Sequence, residues 1–191
     1  MDFNKRILAA AILACASSSA FAAEMNAGKI HFTGEIIEPS CTISGDNGTD
    51  STVPLGTYPT SLFTEIGKES SLKDFKIKLV DCPLTSDGLP AVQLTFNGST
   101  TLTGSTTLLD VSKISTTGNT AATGVGIAIS PKNKDTELLK LDGTEGQVYI
   151  DLPTNTTDTI SADFNARYKS FAANVTAGPA DADLTVNILY R

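Results

Sequence analysis

The residues in this sequence that could do chemistry are its thiols, one histidine and a handful of neighbouring carboxylates. Cys41 and Cys82 lie far apart in the chain, whereas redox work favours a close Cys-x-x-Cys pair with a lowered thiol pKa. In an oxidising compartment such a distant pair forms a structural disulfide. Closing a loop of about 42 residues would remove roughly 4 kcal/mol of unfolded-chain entropy. His31 is the single histidine and falls on the polar face of an alternating segment near the N-terminus. A Ser-His-Asp triad or a His-based metal site has no partners to assemble around it there. Asp181 and Asp183 share one face of a strand pattern, where paired acids read as a solvated edge that discourages wrong pairing rather than as an acid/base couple. No glycine-rich phosphate loop opens a helix. The expectation is a non-enzymatic chain with no catalytic residue, metal, cofactor or small-molecule substrate.

Charge and composition narrow the class further. A net charge of −7, with 14 scattered Lys and Arg in 191 residues, excludes nucleic acid as a partner, since phosphates need clustered basic side chains. Residues 1–22 read as a signal peptide: Lys5 and Arg6 precede an apolar run from Ile7 to Ala16, and Ala20-Phe21-Ala22 supplies a small-x-small cleavage site. That run is too short to span a bilayer. Cys15 would leave with it, and the exported chain keeps an even pair of thiols for an oxidising compartment.

The elements that must position these residues are strands. Thr, the β-branched residue that fits a pleated surface, is abundant, and Gly contributes 15 residues. Apolar and polar residues alternate, between turn signals, in segments 30–36, 75–80, 92–96, 124–129, 147–150, 162–168 and 180–190, with weaker strands near Cys41 and Val53. Only 61–73 allows a short helical turn. The Thr-, Ser- and Gly-rich stretches 97–107 and 115–123 read as surface. Short turn-separated strands with one bridge predict a single all-β domain, an antiparallel sandwich of the immunoglobulin type.

Its two terminal strands pose complementary problems. At the C-terminal end Ala180, Ala182, Leu184, Val186, Ile188 and Tyr190 share one face, and nothing after them covers the edge that the last strand exposes. At the N-terminal end Gly28, Ile30, Phe32, Gly34 and Ile36 form an alternating strand ahead of the first retained cysteine. That strand could pair within its own domain or fill the groove of another subunit by β-strand addition.

In order along the chain, Gly-Lys-Ile-His-Phe-Thr-Gly-Glu-Ile-Ile-Glu-Pro-Ser-Cys leads to Cys41, Val53-Pro54-Leu55-Gly56 follows, and Phe75 to Val80 runs into Asp81-Cys82. Phe164-Asn165-Ala166-Arg167-Tyr168, Ala177-Gly178-Pro179-Ala180-Asp181-Ala182 and a penultimate Tyr190 complete the set. Residues 23–191 thereby resemble a fimbrial (pilin) subunit of the chaperone–usher class, close to the type 1 major-subunit group. The resemblance implies an incomplete, six-stranded immunoglobulin-like β-sandwich that lacks its final strand and is completed by donor-strand exchange. It implies a donor extension at 23–38 and a pilin domain at 39–191. Gly28, Ile30, Phe32, Gly34 and Ile36 would be the donor side chains, with Gly34 allowing close backbone approach. Gly178, Ala180, Ala182, Leu184, Val186, Ile188 and Tyr190 would form the acceptor groove and chaperone-binding strand, with the Arg191 carboxylate as anchor. The implied partners are neighbouring pilin subunits, a periplasmic chaperone and an outer-membrane usher, with export to the cell surface. A minor adaptor of the same fimbrium or a secreted immunoglobulin-like receptor-binding module is the alternative. In the bacterial setting that the resemblance implies, the sequons at Asn47, Asn97, Asn155 and Asn174 carry no N-glycan.

Overall fold

Where Phe75, Ile77 and Leu79 alternate with lysines, the chain forms a strand with one face inward, and the same rule builds most of the domain. The computed structural model describes residues 28–34, 41–85, 89–118, 120–155 and 157–190. It divides into one unit ending at Gly34 and a second from Glu35 onward.

The second unit contains β1 (Thr42–Ile43), β2 (Lys73–Val80), β3 (Ala91–Asn97), β4 (Leu109–Asp110), β5 (Val125–Pro131), β6 (Val148–Asp151), β7 (Ile160–Ser170) and β8 (Thr185–Tyr190). One sheet has the order β1-β2-β7-β5-β4 and the other β6-β3-β8, with every pairing antiparallel. Leu79 from the first sheet and Val92, Leu94 and Phe96 from the second are fully buried. Phe164 of β7 stacks on Phe75 at 5.3 Å and meets Phe96 of β3 edge-on at 5.7 Å. Each such side chain contributes about 1.5–3 kcal/mol when removed from water. Cys41, just before β1, is bridged to Cys82, just after β2.

All-β organisation and the principal strands of the second unit agree with the sequence pattern, with four differences, while the strand expected at 30–36 is not formed over its described residues 30–34. The helical turn is a single 3-10 turn at Thr60–Leu62, and β2 already begins at Lys73. No strand forms near Val53, where the chain runs extended without ladder partners. The last strand starts at Thr185 rather than Ala180, because Asp181 exchanges backbone hydrogen bonds with Ser112. Eight strands are present among the described residues, against the six implied by resemblance, because two-residue β1 and β4 count separately.

The stretch 97–107 is not simply surface. It wraps the buried Asp110, whose carboxylate accepts from the N–H groups of Leu102 and Thr103 and the hydroxyl of Ser99. Burial pushes this carboxyl up, and those donors outweigh it and hold the group below the usual range. On the outward face of β7, Arg167 is only 3% exposed. Its guanidinium donates to Glu69, to Ser130 Oγ and to the Asp135 carbonyl, tying two surface loops across the sheet. Lys169 completes the pair on Glu69.

Candidate functional site

Val92, Leu94 and Phe96, inward on β3, are 0% exposed, yet Val186 and Ile188, inward on the adjacent β8, and Leu184 just before it are only partly buried. The two strands share one register, Phe96 opposite Val186 and Leu94 opposite Ile188. What separates them is a neighbour: β3 lies between β6 and β8, while among the described residues nothing pairs with the outer edge of β8. An apolar edge left in this state is a template for another strand.

Residues 175–183, which lead into that strand, line a groove of about 900 Å³. Val125 and Ile127 of β5 and Tyr168 of β7 contribute to its floor, the extended run Ser51–Tyr58 forms one side, and residues 175–183 the other. Tyr58 meets Tyr168 edge-on at 6.1 Å, and Tyr168 Oη donates to the Ala180 carbonyl at 3.1 Å. Burial first, and the Asp181 carboxylate second, push the Tyr168 phenol above its ordinary pKa.

The wall at 175–183 is held by backbone contact. A Cβ on Gly178 would sit 2.2 Å from the Thr120 carbonyl oxygen, closer than any side chain allows, and the next residue's carbonyl accepts from Ala122 N–H at 2.8 Å. Asp181 is not a solvated acid. It accepts from the hydroxyl and N–H of Thr116 and from the N–H groups of Ser115 and Ile114, and these bonds lower its pKa to about 2. Asp183 stays exposed, so the two acids do different work. At the far end of β8, Tyr190 Oη accepts the Cys41 N–H at 2.9 Å.

Of the residues singled out by sequence, Gly178, Ala180 and Ala182 line the groove. Leu184, Val186, Ile188 and Tyr190 lie farther along the same edge, packed on the core. Ile36, Arg191 and the predicted signal peptide fall outside the described residues. In the separate N-terminal unit, Gly28 to Gly34 is extended without strand pairing, Ile30 is 82% and Phe32 92% exposed, and a side chain at Gly34 would meet nothing within 4 Å. The groove floor was missed, because Val125, Ile127 and Tyr168 looked like ordinary core positions. The wall at 51–58 was missed as well, since the sequence reading expected a strand near Val53.

The family model described as "Fimbrial protein" matches residues 30–191. The chain belongs to the fimbrial protein family. This fimbrial protein is 39% identical over 186 residues to the type-1 fimbrial protein subunit of Serratia marcescens, covering 96% of each chain. Its structure is similar to that of the P pilus rod subunit PapA, with a TM-score of 0.59 and 26% identity over 80% of this chain and 99% of that one. A chaperone–usher pilus subunit, solved in a study of rod uncoiling, gives 0.58 and 25% over 87% and 96%. The sandwich is therefore the immunoglobulin-like fold of chaperone–usher pilins, lacking its final strand.

Proposed function

We propose that this fimbrial protein is a structural, non-catalytic subunit of a cell-surface fimbrium, polymerising when residues 23–38 of one subunit fill the groove of the next. The observation that carries this reading is the unpartnered edge of β8, whose inward side chains stay only partly buried, next to a groove of mixed polar and apolar lining. An incoming strand would pair its backbone with that edge and bury Ile30, Phe32 and Ile36, each worth about 1.5–3 kcal/mol when fully buried. Gly34 has no contact that requires a small residue in the single chain, and its smallness gains a purpose once two backbones close on each other. Likeness to a pilus rod subunit favours a rod-forming role over an adaptor.

Residues 1–22 would be removed on export. A strand of a periplasmic chaperone would occupy the groove first, with the Arg191 carboxylate as its anchor, and an outer-membrane usher would exchange it for the next subunit's extension. No nucleotide is needed, because the completed core drives the exchange, and dissociation would have to re-expose that core.

The test is thermal unfolding of the oxidised chain begun at Pro39, with and without a peptide spanning 23–38. A large rise in Tm, abolished by Asp at positions 32 and 36 of the peptide, is expected. A domain stable alone and indifferent to the peptide would overturn the reading.

A further inference from the structure

Two Asn-Gly pairs occur in the described residues, and the fold treats them oppositely. Asn97-Gly98 ends β3: Asn97 pairs with Thr185, Gly98 N–H donates to the Leu141 carbonyl at 2.9 Å, and a Cβ on Gly98 would strike Leu109. Asn47-Gly48 instead forms the tip of a tight hairpin. Asn47 N–H donates to the Asp50 carbonyl at 3.0 Å and Asp50 N–H returns to Asn47 at 3.2 Å. Gly48 takes φ +70° at the first central position, as a type II′ turn requires. Its N–H has no acceptor among the described residues, a Cβ there would meet nothing within 4 Å, and both residues are exposed.

We infer that Asn47 is a site of spontaneous deamidation in the folded subunit, with water as the only co-reactant. The Gly48 nitrogen loses its proton and attacks Asn47 Cγ. The Cγ–Nδ2 bond breaks, and the amide leaves as ammonia with that proton, closing a succinimide. Water then opens the ring at Cγ, giving aspartate, or at the backbone carbonyl, giving isoaspartate linked to Gly48 through the side chain. Both products add one negative charge between Asp46 and Asp50. The isoaspartate also lengthens the backbone inside a hairpin where Gly45 passes so close to the Asp50 carbonyl that a Cβ would overlap it. Residues 51–58, which follow directly, form one side of the groove.

The test is peptide mapping by mass spectrometry of the full exported chain, oxidised, during incubation at mildly alkaline pH, beside a reduced and denatured sample. Position 47 should convert at similar rates in both. Conversion at position 97 should be about tenfold or more slower in the folded protein, because attack there waits on local opening. Equal rates at the two positions in the folded protein, or slowing of position 47 as strong as that of position 97, would overturn the inference. So would an Asn47→Gln variant that releases ammonia from the folded chain as fast as the parent.

Discussion

Three N–H groups and a hydroxyl converge on Asp181, which titrates at about 2 in the folded chain and near 3.9 in an unfolded one. The folded state binds fewer protons in that interval, so the contribution of this carboxylate is complete above about pH 4 and disappears as pH falls toward 2. Asp181→Asn should therefore lower Tm at neutral pH, with the gap to the parent closing through that window; a gap that persists at pH 2 would mean that charge is not what holds residues 114–116. Glu69 is shifted down as well: burial raises it, and the hydrogen bonds and charges of Lys169 and Arg167 more than offset that. At Gly178 the constraint is steric, and Gly178→Ala should cost about 1–3 kcal/mol, as overpacking does, read as a lower urea midpoint with an unchanged slope. None of these roles was legible locally. The donors on Asp181 stand about 65 positions away, and strand alternation alone places the acid on a solvated face.

Strands whose side chains alternate against one apolar layer were readable, which is why β2, β3 and β5 to β8 match segments found by periodicity. Those that the pattern missed or misjudged are set by distant partners. β4 has two residues, both buried, and offers no alternation, while the run near Val53 alternates but finds no ladder and becomes a wall. The N-terminal segment reads in the sequence as a spare strand, and that reading is testable at this scale. Gly34→Arg should leave the folding of the single chain unchanged, since nothing lies within 4 Å of that position. It should abolish stable multimers when the exported chain is co-expressed with its chaperone and usher and resolved on denaturing gels without heating. Multimers at parental level would show that close approach at this glycine is not needed.

For the whole domain, the sandwich class followed from strand spacing and one cysteine pair, whereas the groove arises only when β5, β7 and the run 51–58 are assembled around a missing neighbour. The Cys41–Cys82 bridge joins the two ends of the β1-β2 segment. Replacing both cysteines by serine should lower stability by about 2–4 kcal/mol, measured by urea unfolding; a change within error would mean that the unfolded chain is already constrained there. The bond from Cys41 N–H to Tyr190 Oη has a mechanical meaning in the proposed filament. If residues 23–38 of one subunit pair with β8 of the next, tension would enter each subunit as shear along β8 and leave through the backbone at residue 41. At that corner the load would divide, passing to the three-stranded sheet through the tyrosine and to the five-stranded sheet through a covalent disulfide. Such a path would couple the two sheets at one corner of the domain, outside the apolar layer between them.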